Sequence, residues 1–181
     1  MEINSSDISF FLRTGYRLSK FFPLKFLYAY AMIVLKGRVI MIEIKLSKDL
    51  TEDAKHIRTE VFIKEQGFST EFDDTDKAAL HCVLYSDGKA AAVGRTYPAD
   101  ADGSTYVIGR IAVLPEFRKA GLGSKAVTAL EQAAAGMGAV RTELSAQVRA
   151  IDFYRTLGYE PTGEEYLDEF CPHIKMVRSL I

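Results

Sequence analysis

The sequence predicts one α/β domain built on a mixed, mostly antiparallel sheet. From Met41 onward, short segments with strand periodicity alternate with segments of helical spacing. Asp87-Gly88 is a two-residue hairpin signal between two such strands. A glycine-containing loop at residues 118–124 stands between a predicted strand and a predicted helix, which is typical of a parallel crossover unit.

Composition excludes several classes of protein. The 181 residues include 23 Lys and Arg and 24 Asp and Glu, a net charge of −1, which excludes a generally basic nucleic-acid-binding protein. A content of 48% hydrophobic and 26% charged residues is typical of a folded chain. The two cysteines and three histidines are scattered, so we expect no disulfide framework and no metal. A reducing, cytoplasmic setting fits this cysteine usage.

Charge is distributed unevenly along the chain. Residues 1–40 hold six basic and two acidic residues, whereas residues 41–181 hold 17 basic and 22 acidic ones. The apolar run at 26–35 is too short for a membrane-spanning helix, which needs about 20 residues. A basic, amphipathic membrane-surface anchor is one interpretation. The other interpretation, which we favour, is that residues 1–40 are an extension outside the fold and residues 41–181 form the domain. Membrane contact is therefore not expected.

The first half of the domain predicts a strand, a helix and a meander. Residues 40–46 alternate in polarity as a strand does. Thr51 is a good N-cap for a helix that ends near Gly67. The acidic residues 71–76 predict a solvated loop, with His81 hydrogen-bonded beside it. An antiparallel meander follows, with predicted strands at residues 80–85, 90–97 and 105–113.

The second half predicts a strand between two helices. Apolar residues recur at helical spacing after Leu122, and Gly136 and Gly138 end that helix. Residues 139–145 then predict a strand, and residues 150–157 a helix closed by Gly158.

The glycine loop predicts an anion site. Backbone N–H groups at the start of a helix are unpaired and lie at the positive end of its dipole, and Arg118 and Lys119 add positive charge. A tight turn that merely needs small residues is the alternative. Gly123-Ser124-Lys125 has the wrong order for a Walker loop, and a late strand is the wrong context for a dinucleotide fingerprint. The loop therefore predicts a phosphate or pyrophosphate site of another kind.

Two segments resemble motifs of a known family. Residues 109–123 (GRIAVLPEFRKAGLG) resemble motif A of the GNAT superfamily of acyl-CoA-dependent N-acyltransferases, whose core is Arg/Gln-x-x-Gly-x-Gly/Ala. Residues 147–159 (QVRAIDFYRTLGY) are similar to motif B, and the resemblance covers about residues 41–178. It implies the GNAT fold, with roughly six to seven strands flanked by about four helices. Finer features resemble the ElaA-like branch: residues 58–66 (RTEVFIKEQ), 73–76 before His81, Ala146-Gln147 and 172–176 (PHIKM).

The resemblance implies acetyl-CoA as co-substrate and indicates its contacts. The backbone of Ile111, Ala112 and Val113 would pair with the pantetheine arm. Gln147 occupies a position often held by Asn, whose side chain contacts that arm. The N–H groups of the glycine loop would hold the pyrophosphate, and this loop consists of Arg118, Lys119, Ala120, Gly121, Leu122, Gly123 and Ser124.

Tyr154 aligns with the family's tyrosine near the thioester sulfur. A phenol stays protonated at neutral pH and can donate a proton to the departing thiolate. Tyr154 also lies on the apolar stripe of its helix, so the alternative is an aromatic residue of the core. Because motif A is present in the same chain, we favour the role of Tyr154 as the acid.

Three residues are candidates for the base that deprotonates the amine. Glu143 lies on the strand after the glycine-loop helix, where it is a base or a solvated strand residue. His173, in a late strand, is a base, a substrate contact or a structural histidine. Glu65 ends a helix that lines the acceptor side in this superfamily, and is otherwise a surface carboxylate. Arg110 would meet an anionic substrate, or lie on the strand surface.

The sequence thus predicts an N-acetyltransferase that moves an acetyl group from acetyl-CoA to a small-molecule or peptide amine in a ternary complex. No nucleic acid partner is expected, and the sequence leaves open whether the protein forms a homodimer. Two alternatives remain at this point: a non-catalytic acyl-CoA-binding or regulatory module, and a membrane-associated protein acting through residues 1–40.

Overall fold

The structure is a computed structural model that describes the backbone of residues 17–18, 27–35 and 38–181 and the side chains of residues 39–181. Its strands are β1 (Arg17–Leu18), β2 (Leu27–Leu35), β3 (Arg38–Ser47), β4 (Leu80–Ser86), β5 (Lys89–Pro98), β6 (Thr105–Val113), β7 (Arg141–Gln147), β8 (Glu160–Asp168) and β9 (Cys171–Ser179). Its α-helices are α1 (Glu52–Arg58), α2 (Leu122–Gly136) and α3 (Ile151–Thr156). The strands form one sheet in the order β1-β2-β3-β4-β5-β6-β7-β9-β8.

The predicted fold class is confirmed. Neighbouring strands pair antiparallel except β6 and β7, which are parallel, so the sheet is mixed and mostly antiparallel. The strands from β3 to β9 supply the seven-stranded sheet that the resemblance implied.

The N-terminal segment adds strands β1 and β2 to one edge of the sheet. β2 pairs with β3 along its whole length, from Leu27 opposite Leu46 to Leu35 opposite Arg38. The membrane-anchor interpretation depends on side chains of residues 1–38, which lie outside the described residues. Among the helices that the structure does describe, none has the length and apolarity needed to cross a membrane.

Helix α1 begins where the sequence predicts. The helical segment continues beyond its end, but in a geometry other than that of an α-helix. The Thr51 side chain accepts a hydrogen bond from the Ala54 N–H at 3.3 Å. After α1 the helix widens into a π-helical turn at Thr59–Glu65, in which the Gln66 N–H bonds the Val61 carbonyl at 3.1 Å. The segment ends at Gly67, which adopts a positive φ of 82° and confirms the predicted end.

The meander is confirmed as well. Strands β4, β5 and β6 pair antiparallel in sequence order. Asp87 and Gly88 both have positive φ, 47° and 80°, as a hairpin turn of this length requires. Pairing of β5 with β6 shifts register between Val93 and Arg95, and Arg110 nearby on β6 has a φ of 55°. This irregularity bends the part of β6 that borders the site described below.

Two helices cover opposite faces of the sheet. Helix α1 and its π-helical turn bury Ala54, Ile57 and Val61 against Val83 and Val93. On the other face α2 packs its apolar stripe over β3 to β6, with these residues buried: Leu122, Ala126, Val127 and Leu130. Each fully buried aliphatic side chain contributes about 1.5–3 kcal/mol to folding.

Strands β6 and β7 separate after three residue pairs. They pair only from Thr105 opposite Arg141 to Val107 opposite Glu143. Beyond that point β7 stays bonded to β9, and β6 stays bonded to β5 on its other side. The two strands therefore enclose a wedge that opens toward their C-terminal ends. Several predicted site residues line it, among them Gln147, Tyr154 and His173.

Candidate active site

A cavity of about 240 Å³ occupies the wedge between β6 and β7. On one side it is lined by residues 107–111 of β6, and on the other by Ser145, Gln147 and Tyr154. Its remaining wall comes from the segment after α1 and from the β8–β9 hairpin, with these residues among the lining: Phe68, Glu71, Asp168 and His173. The cavity thus brings together side chains from distant parts of the chain.

The open edge of β6 lies along this cavity. Ile111 lines it, whereas Ala112 is buried on the α1 side against Val93. The Val113 carbonyl accepts a hydrogen bond from Arg118 Nε at 3.0 Å. In the described part of the chain no strand pairs with β6 beyond Val107 on this side. Its backbone can therefore pair with an extended ligand.

The glycine loop has the geometry that the sequence predicts. Lys119 and Gly121 have positive φ, 64° and 72°, and α2 begins at Leu122 with no side-chain cap. The N–H groups of the first turn are thus left for a ligand, at the positive end of a 15-residue helix. A Cβ on Gly123 would lie 3.4 Å from the Phe153 ring, so a small residue also packs α2 against α3.

The Arg118 side chain does not stand free beside this loop. Its Nη1 donates to Glu65 Oε1 at 2.8 Å, and its Nη2 donates to Glu65 Oε2. The hydrogen bond from Arg118 lowers the pKa of the Glu65 carboxyl. Glu65 thereby lies against the predicted pyrophosphate loop and lines a second cavity, of about 250 Å³, rather than the wedge.

Tyr154 lines the wedge. Its ring contacts Phe153 and Tyr159 edge-on, with centroids 4.9 and 5.9 Å apart. Burial raises the pKa of Tyr154 to about 12, so the hydroxyl stays protonated at neutral pH. Within the described residues its hydroxyl has no hydrogen-bond partner, which leaves the proton available to a ligand.

Gln147 lies at the end of β7 and lines the wedge. Its Nε2 donates to Gln66 Oε1 at 2.8 Å, and its Oε1 accepts from Arg149 Nε at 2.8 Å. One Nε2 proton remains for a cofactor. The hydrogen bond to Gln66 links the end of β7 to the segment after α1.

His173 and Glu143 have different surroundings. His173 is buried, lines the wedge and donates from Nδ1 to the Cys171 carbonyl at 2.9 Å. Glu143 does not line the wedge and pairs with Lys175 Nζ at 2.8 Å. Of these two base candidates, the structure brings only His173 together with Tyr154.

A cluster of charged residues borders the wedge and reaches it through Glu71, Arg95 and Arg110. Arg58 Nε donates to Glu71 Oε1 at 2.6 Å, and Arg58 Nη1 donates to Asp76 Oδ1 at 2.7 Å. Arg95 Nη1 donates to Asp76 Oδ1 at 2.6 Å. Burial would raise the pKa of the Asp76 carboxyl, but hydrogen bonds from both arginines outweigh it and hold that pKa well below its usual range. Burial raises the pKa of Glu71 despite its arginine neighbours.

The prediction of a solvated acidic loop at residues 71–76 is therefore wrong for Glu71 and Asp76, whereas Asp73 and Asp74 are exposed. Glu71 and Asp76 are only 5% and 7% exposed, because arginines from three other elements neutralise them. Arg110 belongs to this cluster, with its Nε 3.1 Å from Glu71 Oε2. The expected hydrogen bond of His81 is confirmed, since its Nε2 donates to the Asp76 carbonyl at 2.9 Å. Nothing in the local sequence pattern pairs these residues, which lie up to 52 positions apart.

Metal-ligating groups do not converge in the part of the chain that the structure describes. No group of three or more His, Cys, Asp or Glu residues there is placed to hold a metal ion.

An open strand edge beside an uncapped helix start can hold an extended ligand that carries an anionic group. The model of the Acetyltransferase (GNAT) family matches residues 47–159, more than half of the chain. The chain therefore belongs to this family, and it is an acyl-CoA-dependent N-acyltransferase.

Individual relatives agree with this assignment. The chain is 37% identical over 136 residues to the N-acetyltransferase YjcF of Bacillus subtilis, an alignment that covers 74% of this chain and 95% of YjcF. It is similar to a crystal structure of an acyl-CoA N-acyltransferase from Pseudomonas aeruginosa, with a TM-score of 0.67, 29% identity and coverage of 76% and 99% of the two chains. The crystal structure of Escherichia coli ElaA superposes with a TM-score of 0.68 at 25% identity, covering 77% and 100%. The chain is an ElaA-like member of the family.

Proposed function

We propose that the protein transfers an acetyl group from acetyl-CoA to a primary amine in a direct ternary complex. The observation that carries this proposal is the wedge between β6 and β7, which holds the protonated phenol of Tyr154 beside an open strand edge. Amine and thioester can meet there without a covalent intermediate on the enzyme. Cys82 is buried, and burial raises the pKa of its thiol out of the range in which it would act as an acyl carrier.

Two parts of the site support binding of the cofactor. The backbone of residues 111–113 would pair with the pantetheine arm along the edge that β7 leaves open. The N–H groups of residues 118–124 would hold the pyrophosphate at the start of α2. The remaining Nε2 proton of Gln147 would contact the arm between these two regions.

Tyr154 would protonate the leaving thiolate. The nitrogen attacks the thioester carbonyl, and the C–S bond breaks as the tetrahedral intermediate collapses. A phenol with a pKa of about 12 is fully protonated at pH 7 and donates a hydrogen bond to sulfur while charge develops there. The same desolvation favours the neutral thiol over the thiolate, which assists the proton transfer.

The acceptor would enter from the wall formed by Phe68 and the β8–β9 hairpin. Arg110 lines the wedge, so we retain it as a proposed acceptor contact. Glu65 would act on the cofactor side, because it lies against Arg118. The wedge volume of about 240 Å³ suits a small amine or the terminus of a peptide.

We also propose that residues 41–181 constitute the catalytic unit and that it works in the cytoplasm. Every residue that lines the two cavities lies within this range. Cys82 and Cys171 are both free thiols, which suits a reducing compartment.

Isothermal titration with acetyl-CoA, followed by a thiol-release assay over a panel of primary amines, tests the proposal. We expect the unaltered protein to bind acetyl-CoA and Gly121→Trp to lose that binding. Gly103→Trp is the matched control, because Gly103 has a similar positive φ of 70° and open surroundings but lies in the loop between β5 and β6. Binding without thiol release on any amine would indicate a non-catalytic acyl-CoA-binding module. No binding would contradict the proposal outright.

A further inference from the structure

We infer that His173 is the general base that deprotonates the acceptor ammonium, an assignment that rests on the proposed function. Alkylamines have a pKa near 10, so the acceptor arrives with no lone pair at neutral pH. A proton acceptor must therefore lie in the same cavity as the acid Tyr154. Both His173 and Tyr154 line the wedge.

The surroundings of His173 determine which ring nitrogen can accept a proton. A carbonyl oxygen only accepts hydrogen bonds, so the 2.9 Å contact with the Cys171 carbonyl requires a proton on Nδ1. In the neutral ring the lone pair is then on Nε2. The ring is stacked against Tyr166, with centroids 6.2 Å apart, and Phe68 meets it edge-on at 6.4 Å. These contacts and its burial hold one orientation and one tautomer.

The other two base candidates are engaged elsewhere. Glu143 forms an ion pair with Lys175 and lies outside the wedge lining. Both carboxylate oxygens of Glu65 accept hydrogen bonds from Arg118, which lowers the pKa of Glu65 and makes it a weaker base.

Glu71 also lines the wedge, but arginines occupy its carboxylate. Its Oε1 accepts from Arg58 Nε at 2.6 Å, and its Oε2 lies 3.1 Å from Arg110 Nε. A proton from the acceptor would have to displace a buried guanidinium.

The charged groups that face His173 come from several elements. Glu71, Arg95 and Arg110 line the same cavity as His173, as does Asp168 of β8. The pair of Lys175 and Glu143 follows along β9 and β7. This set holds three acidic and three basic groups, so its formal charges balance around His173.

The proton balance of the step closes with these two residues. One of the three ammonium protons moves to His173 Nε2, and the freed nitrogen forms a bond to the thioester carbon. The C–S bond breaks as Tyr154 Oη gives its proton to sulfur. Tyr154 recovers a second of the original ammonium protons from the nitrogen of the tetrahedral intermediate. The third ammonium proton stays on the nitrogen of the amide product. His173 releases its proton to water with product.

The test uses the full chain, acetyl-CoA, and butylamine, phenethylamine and spermidine as acceptor probes. His173→Asn keeps an N–H donor near the position of Nδ1 but has no basic nitrogen, and His173→Gln places its amide near the position of Nε2. His56→Gln is the matched control, because His56 is exposed on α1 and lines neither cavity. Titration calorimetry measures acetyl-CoA affinity, thiol release measures kcat across pH, and thermal unfolding checks each fold.

We expect both His173 variants to bind acetyl-CoA within about twofold of the unaltered protein and to lose roughly 10²-fold or more in kcat. They should also lose the limb of the pH profile that rises from acid pH, while His56→Gln keeps it. A folded His173→Asn with unchanged kcat or an unchanged limb would overturn the assignment of His173 alone. An unaltered protein that releases no thiol with any probe would instead count against the proposed function, and the assignment would fall with it.

Discussion

The carboxylate of Glu169 accepts a hydrogen bond from the backbone N–H of Ser69 at 3.1 Å, joining residues 100 positions apart. The neighbouring Thr70 N–H donates to the same carboxylate at 3.1 Å, and Phe170 packs on Phe68 with ring centroids 5.2 Å apart. These contacts hold the tip of the β8–β9 hairpin against the segment after α1. Both partners contribute lining residues to the wedge, so the contact assembles its acceptor wall.

Glu169→Gln should loosen the acceptor wall without affecting the cofactor site. The N–H hydrogen bonds lower the pKa of Glu169, so the carboxylate contact persists at neutral pH and is lost only as pH falls through that lowered pKa. We expect the amides of Ser69 and Thr70 to exchange hydrogen faster and the KM for the amine to rise severalfold. Hydrogen exchange by NMR and steady-state kinetics measure both. Glu164→Gln, exposed on β8, is the control, and equal exchange in the two variants would contradict the role of Glu169.

Arg58→Met should destabilise the fold strongly. The guanidinium is fully buried and bonds Glu71 and Asp76. Its removal leaves Glu71 with only Arg110 and Asp76 with only Arg95 among the arginines of the cluster. We expect a loss of about 3–5 kcal/mol in the free energy of unfolding, measured in urea. Lys55→Met removes an exposed pair with Glu52 on the same helix and should cost less than about 1 kcal/mol. Similar losses in the two variants would show that the cluster contributes no more than a surface pair.

Glu65→Gln should strengthen binding of acetyl-CoA. The carboxylate neutralises Arg118 beside the glycine loop, and its removal leaves that positive charge for the pyrophosphate. An exposed pair is worth roughly 0.2–1 kcal/mol, which corresponds to a gain of up to about fivefold at low salt. Calorimetry at two salt concentrations measures it, since added salt should remove the gain. Glu60→Gln, which pairs with Lys64 in the same π-helical turn, should leave affinity unchanged. Weaker binding in Glu65→Gln would rule out this competition.

Tyr154→Phe and Tyr159→Phe should separate catalysis from stability. Tyr159 bonds Thr142 Oγ1 at 2.9 Å in the core, so its phenylalanine variant should lose about 1 kcal/mol of stability with little change in kcat. Tyr154 lines the wedge and is the proposed acid, so its variant should lose roughly 10²-fold in kcat with stability and acetyl-CoA affinity retained. Kinetics and thermal unfolding of both variants measure the contrast. An unchanged kcat in Tyr154→Phe would remove its role as acid.

Local patterns in the sequence predicted local structure well. The Thr51 cap, the Asp87-Gly88 turn and the glycine loop each depend on the backbone preferences of a few adjacent residues, and the structure confirms all three. The π-helical turn after Arg58 has no such local signal in the sequence.

Partners distant in sequence account for what was missed. Arg58, Arg95 and Arg110 resemble ordinary charged residues until folding brings them onto Glu71 and its neighbours. Likewise, the engagement of Glu65 by Arg118 spans 53 positions and has no periodic signature. The candidate acid and base could be proposed from residue type and motif, but the choice of His173 over Glu143 required the geometry.

Mass spectrometry of the products tests the central claim most directly. The unaltered protein is incubated with acetyl-CoA and the three amine probes, and free CoA is counted against acetylated amine. We expect an N-acetylated amine formed in equal amount with CoA, and none with Tyr154→Phe beyond a small residual rate. Release of CoA without an acetylated amine, or bound acetyl-CoA that is never consumed, would contradict it.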